Sequence, residues 1–156
     1  MDTRCTEAPR SRGAYILVIR ASRPVEARVR GGVRSLCPGV YLYVGSAGGP
    51  GGLRARLTRH VHGPRRRHWH IDWLTGSDAC SVVAAVYTTR CWGVEAEACL
   101  AGCLEAEGLT PIPGFGATDD PRSETHLYLA ATTSDALAAA MKCIERCCGG
   151  GSLCSG

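Results

Sequence analysis

Apolar residues along this chain follow two rhythms. Gly13 to Arg20 (GAYILVIR) is a nearly continuous apolar run, Val25 to Arg30 (VEARVR) alternates, and Val40 to Ser46 mixes aliphatic and aromatic residues at a period of two. His68 to Leu74 also alternates, Ser81 to Thr89 is apolar and valine-rich, and Thr125 to Ala131 closes the series. Such runs, bounded by Gly and Pro, predict β-strands. The second rhythm has a spacing of three and four. Leu53, Leu57 and Val61 form one stripe, Val94, Glu97, Leu100, Ala101 and Leu104 a second, and Leu137, Met141 and Ile144 a third. These stripes predict three helices that pack on a sheet. Ser134 is the expected cap of the last helix, and Gly149 to Gly151 its stop.

Strands interleaved with helices read as the α/β (α+β) class. With 156 residues the chain has the length of one domain and can bury a continuous core. The expected domain spans 13–148. Residues 1–12 are polar and carry Pro9, and 149–156 are glycine-rich, so both are expected to be flexible termini. No apolar stretch has the length of a membrane span, and the N-terminus lacks the apolar core of a signal peptide, which gives the expectation of a soluble cytoplasmic protein with no membrane partner.

The net charge of +4 is modest, but it is unevenly placed. No acidic residue interrupts the run from Tyr43 to Asp72, which holds Arg54, Arg56, Arg59, Arg65, Arg66 and Arg67, whereas Glu95 to Glu107 is acidic. A basic run can be a solvated face; placed beside glycine turns, it favours a polyanion such as nucleic acid. Ten cysteines suggest an exported disulfide scaffold, but the missing signal and the chain length point instead to small buried residues or free thiols. The tail cysteines Cys143, Cys147, Cys148 and Cys154 lack the C-x-x-C spacing of structural zinc.

Within the basic run, Tyr43-Val44-Gly45 ends a strand and Gly48-Gly49-Pro50-Gly51-Gly52 interrupts regular structure before the helix from Leu53. Arg56 and His60 lie beside that helix's apolar stripe, over the rim of the sheet near the end of the Tyr43 strand. His68, His70 and Asp72 share one face of their expected strand, opposite Trp69, Ile71 and Trp73, which read as core. Three such ligand types in a row allow a metal site. The alternatives are that Asp72 orients a phosphate-contacting histidine, or that the three form a polar network. Glu97 falls on a packing face, where a carboxylate needs an arginine or a metal ion as compensation.

Tyr43-Val44-Gly45, the glycine turn and Gly52-Leu53-Arg54-Ala55-Arg56-Leu57-Thr58-Arg59-His60 resemble the second half of the signature of the GIY-YIG nuclease superfamily, with Gly13-Ala14-Tyr15 as its first half and Gly39-Val40-Tyr41 as a rival. HWHIDWL, GFGATDD and THLYL resemble its Uri-type branch of small proteins, formerly a domain of unknown function. The resemblance runs from about Gly13 to Leu129. It implies a small mixed or antiparallel sheet flanked by about three helices, and a metal-dependent endonuclease that hydrolyses phosphodiester bonds in DNA, with a place in repair. RNA is not excluded as a partner. By resemblance, Glu97 holds Mg²⁺ or Mn²⁺, Arg56 clamps a phosphate oxygen, Tyr15 orients or deprotonates the water with help from Tyr43, and His60 carries a proton or contacts phosphate. Gly45, Ser46, Arg54, Arg59, Arg65, Arg66, Arg67, His68 and His70 are the expected nucleic-acid contacts, and Asp119, Asp120 and His126 match the outline of the family's closing motif. The alternative is a nucleic-acid-binding module without catalysis.

Overall fold

A computed structural model describes residues 3–29, 31–116 and 125–156. The strands are β1 (Thr3–Arg4), β2 (Gly13–Ala21), β3 (Val25–Val29), β4 (Gly32–Leu36), β5 (Gly39–Ala47), β6 (Cys80–Thr88), β7 (Thr110–Pro111), β8 (Leu127–Ala130) and β9 (Ser152–Ser155). The helices are α1 (Gly52–His62), α2 (Asp72–Thr75), α3 (Gly93–Ala106) and α4 (Thr133–Cys148), with a short 3₁₀ turn at Cys5–Glu7. The result is an α+β domain. Seven strands form one mixed sheet in the order β1-β9-β6-β2-β5-β8-β7, while β3 and β4 pair apart from it as a hairpin.

β2 occupies the middle and is apolar on both sides because both sides are covered. Tyr15, Leu17 and Ile19 point into a core shared with Leu53, Leu57, Ile71 and Leu74, beneath α1 and α2. Ala14, Ile16 and Val18 point the other way, into a core built with Leu100, Ala101, Leu104, Ala136, Ala140 and Ile144 of α3 and α4. The antiparallel register of β2 on β5 sets Tyr15 opposite Gly45 and Leu17 opposite Tyr43. Facing residues share one side of a sheet, so both tyrosines project to the α1 side. A hairpin of two strands, where sequence predicts one, leaves this pairing intact.

Several expectations are corrected. The segment from His68 to Leu74 is a turn followed by α2 rather than a strand, because the Asp72 carboxylate accepts the backbone N–H groups of His68 at 2.6 Å and Trp69 at 2.8 Å and curls the chain. The described parts of both termini are structured: β1 pairs with β9, β9 pairs with β6, and Cys5 is bonded to Cys154. Thr132, rather than Ser134, caps α4 by accepting the Asp135 N–H at 3.0 Å. Met141 is 44% exposed, and the packing stripe of α4 runs through Ala136, Ala139, Ala140, Cys143 and Ile144 instead.

The cysteines differ most from expectation. Cys91–Cys148, Cys99–Cys147 and Cys103–Cys143 link the start and body of α3 to α4, so that only Cys37 and Cys80 are free thiols. Cys99 and Cys103 lie one turn apart on α3, as do Cys143 and Cys147 on α4, and these facing turns pair, while Cys91 just before α3 reaches Cys148. No described helix is long and apolar enough to cross a membrane.

Candidate active site

One end of the sheet opens into a cleft of about 420 Å³, lined by Tyr15 and Tyr43 from the sheet, Arg56 and His60 from α1, and Glu97 from α3, with Trp69, Gly116 and others at its margin. Their convergence follows from local structure. Arg56 and His60 are one helical turn apart and share a face of α1. The Ser46 side chain, at the end of β5, accepts the Gly93 N–H at 2.7 Å and pins the first residue of α3 there. Glu97, four residues on, then points the same way as Gly93.

The tyrosines need space, and two glycines provide it. A Cβ on Gly45 would strike the Tyr15 ring and hydroxyl, so the G of the Tyr-Val-Gly motif is required by the phenol stacked across from it. Gly116, with φ of +71°, lies where a Cβ would meet the Tyr43 hydroxyl at 2.9 Å. Its N–H donates to His70 Nδ1 at 3.2 Å, which fixes that ring at the margin of the cleft.

His60 stands between the phenols, its ring 5.5 Å from that of Tyr15 and 6.2 Å from that of Tyr43. His60 Nε2 and the Tyr15 hydroxyl form a 2.8 Å hydrogen bond. Burial, with the Arg56 and Arg59 charges adding to it, lowers the imidazole pKa from 6.5 to about 3, so His60 is neutral near pH 7. Burial raises Tyr15 to about 12 against the opposing pull of Arg56, and it raises Tyr43 further. Both tyrosines are therefore phenols at neutral pH, burial outweighing the lowering pull of Arg56.

Arg56 donates to the Ser46 carbonyl oxygen at 3.0 Å and lies 4.4 Å over the Trp69 ring. Arg59 lies 4.3 Å over the same indole and forms a two-pronged pair with Asp72 at 2.7 and 2.8 Å. Asp72 is fully buried. Burial alone would raise its pKa, but the Arg59 and backbone hydrogen bonds outweigh that and hold it below the usual carboxylate range. Asp72 thus positions Arg59 and the backbone of His68 and Trp69 rather than a histidine ring, and His70 is bonded to Gly116 instead.

Apart from Arg59, which is paired with Asp72, the expected nucleic-acid residues divide into three groups. Gly45, Ser46, His68 and His70 line the cleft. Arg65, Arg66 and Arg67 are exposed beside it in the chain, with Arg67 4.4 Å over Trp73. Arg54 turns away: its Nε donates to the Ala8 carbonyl oxygen at 2.8 Å and fastens α1 to the N-terminal segment. Tyr41 of the rival motif is also outside the cleft, its hydroxyl donating to the Cys37 carbonyl oxygen at 2.6 Å. Asp119 and Asp120 lie outside the described residues, while His126 is buried with its backbone bonded to Val44 and Phe115.

Sequence reasoning placed Trp69 in the core and passed over Gly93, Val94 and Gly116 in the cleft. The signal for Trp69 was its position in a run of arginines and histidines, since an indole among cations is as suited to hold guanidinium groups as to fill a core. Glu97 is the single carboxylate among the cleft's lining residues. Among the described residues no three His, Cys, Asp or Glu side chains are grouped to hold a metal ion. One carboxylate in an open polar cleft instead suits a hard cation that keeps most of its water and takes further ligands from substrate.

No curated protein and no solved structure matches the chain. A family model described as a domain of unknown function, DUF123, matches residues 14–148. That span contains all of β2 but its first residue, the whole cleft and α4, and the chain belongs to this family.

Proposed function

We propose that the protein is a metal-dependent endonuclease of the GIY-YIG kind, acting on phosphodiester bonds in DNA. The observation that carries this reading is the convergence of Tyr15, Tyr43, Arg56, His60 and Glu97 on one cleft from separate stretches of the chain. Phosphodiester hydrolysis requires an oriented water, neutralisation of charge on the phosphate, and stabilisation of the departing oxygen. The lining residues are suited to each requirement.

Arg56 is set to hold a non-bridging oxygen. Its guanidinium lies over the Trp69 ring, leaving N–H groups for an anion. With His60 in the tautomer protonated at Nδ1, the Tyr15 hydroxyl donates to Nε2 and its oxygen is suited to accept a hydrogen bond from the attacking water. A phosphate anion in the cleft favours the protonated imidazole and raises His60 from its low value, so the phenol–imidazole pair can take up the water's proton. Tyr43, whose hydroxyl lies beside Gly116, completes the wall facing the phosphate. Glu97 is the residue that would hold Mg²⁺ or Mn²⁺, which when bound supplies charge stabilisation at the phosphate and leaving oxygen.

Purified protein incubated with labelled single-stranded, duplex and flap DNA, with Mg²⁺ or with chelator, tests the reading. Nicking is expected only with metal, and Arg56→Ala and Glu97→Ala should each lower its rate by about 10²-fold or more without loss of fold. Parent-like cutting by both variants would sink the assignment. One observation favours the alternative of binding without cleavage: burial leaves neither the phenols nor His60 near neutrality. That alternative yields salt-sensitive binding and no metal-dependent product.

A further inference from the structure

β2 and β5 are hydrogen-bonded neighbours, yet the chain does not turn directly between them. It leaves the sheet at Ala21, runs out and back through the β3–β4 hairpin, and returns at Gly39. Val25, Ala27 and Leu36 bury the hairpin's inner side in the core and anchor it. Its other residues have an unusual composition. Residues 20–36 hold five arginines against one glutamate. Arg20, Arg23 and Arg28 are exposed, and no ion pair joins them or Arg34 to a carboxylate among the described residues. Arg34 Nε is buried with no hydrogen-bond partner. Val33, one residue beyond the end of the turn, is 65% exposed. Like charges gathered on a small ribbon repel one another, and a polyanion relieves that repulsion.

We infer that this hairpin is an arm that grips the duplex flanking the cleavage site, an inference that rests on the nucleic-acid reading of the cleft. Two guanidinium–indole clusters connect the places. Trp69 at the cleft receives Arg56 and Arg59, and Trp73, four residues further on, receives Arg67 at 4.4 Å and Arg28 of the hairpin at 5.9 Å. An indole steadies a guanidinium through its face and leaves the N–H edge for phosphate.

The same clusters distinguish duplex from single strand. Single-strand binders stack bases on open aromatic faces, whereas these indoles are engaged by arginines. A two-stranded ribbon fits the major groove of a duplex, and an exposed aliphatic side chain near its turn suits contact with base edges there. The spacing sets the footprint. From Tyr15 to Ala21 is six strand residues, about 20 Å at roughly 3.3 Å each. At roughly 3.4 Å per base pair, the arm lies about six base pairs from the cleaved phosphate.

The test measures binding of parent protein in chelator to DNAs that share one junction and differ in the duplex on one side, lengthened stepwise from about two to about twelve base pairs. Affinity is expected to rise to about six base pairs and then level. Arg23→Ala/Arg28→Ala should bind long flanks about tenfold more weakly with a salt slope lower by about two, and match the parent on the shortest flank. Arg90→Ala, an exposed change on another surface, should behave as the parent throughout, and thermal melts should show each variant folded. Parent affinity indifferent to flank length, or a double-variant loss that is absent or equal at every length, overturns the arm while leaving the cleft reading in place. Failure of the parent to bind any of the DNAs overturns both.

Discussion

The two faces of the central sheet share the same strands and are secured by different means. Beneath α1 and α2 the fixed points are directional: Tyr15 on His60, Asp72 on Arg59 and on two backbone N–H groups, and Arg56 and Arg59 on Trp69. Beneath α3 and α4 the side chains are small, with Ala96, Ala101, Ala136, Ala139 and Ala140 buried, and three disulfides span the helices. A face that presents chemistry must hold several charges at set distances, which an apolar core cannot do. A face that only supports can be short-chained, closely approached and covalently tied. Glu97 links the two, since it grows from the tied helix and points into the directional side.

Breaking the covalent side should give the largest effect. Cys91–Cys148, Cys99–Cys147 and Cys103–Cys143 close loops with sequence separations of 57, 48 and 40, and loops of that size contribute about 4 kcal/mol for the first closed and less for those nested beside it. Reduction with a dithiol, compared with the same reduction of a Cys5→Ser/Cys154→Ser variant that isolates these three bonds, should lower the unfolding free energy read from urea denaturation by about 4 kcal/mol or more. Unchanged melting after full reduction, with free thiols confirmed by titration, would show that the small-residue packing is sufficient by itself.

On the directional side the largest loss should come from Asp72→Ala. It strands Arg59 and two backbone N–H groups around a buried site, and removing one partner of such a pair typically costs about 3–5 kcal/mol. Equilibrium denaturation measures it. A cost under about 1 kcal/mol would mean that Arg59 and the His68–Trp69 turn find solvent readily, as exposed pairs do.

These differences also explain what could be read from sequence. Strands and long helices were legible because burial imposes a period, and β2 shows it in full with both faces covered. Arg56, His60 and Glu97 were legible from their places beside or on apolar helix stripes, whereas Tyr15 and Tyr43 stood out only through the resemblance of their motifs; all five line one cleft. His68 to Asp72 misled because its alternation imitates a strand, while the carboxylate of Asp72 captures the N–H groups a strand would have used. The disulfides were hidden because pairing depends on how two helices are rotated against each other, and sequence spacing within one helix does not give that. The terminal strands were hidden for a related reason: Ser152 to Ser155 becomes a strand only because β6 offers an open edge.

The finest test of the comparison uses a proton. His60 has a folded pKa of about 3 against 6.5 in the unfolded chain, so between those values unfolding takes up a proton. Its contribution to stability is full above pH 6.5 and falls as pH drops toward 3, at roughly 1.4 kcal/mol per unit once well below 6.5. His60→Gln keeps a polar group against Tyr15 but removes the titration. The stability advantage of the parent over this variant should therefore shrink by about 2–3 kcal/mol between pH 7 and pH 4.5. Carboxylates common to both proteins cancel in that difference, as do the disulfides of the opposite face. A difference that stays level with pH would show that water reaches the imidazole, and the phenol–imidazole pair would then be as open to solvent as the arginine loop beside it.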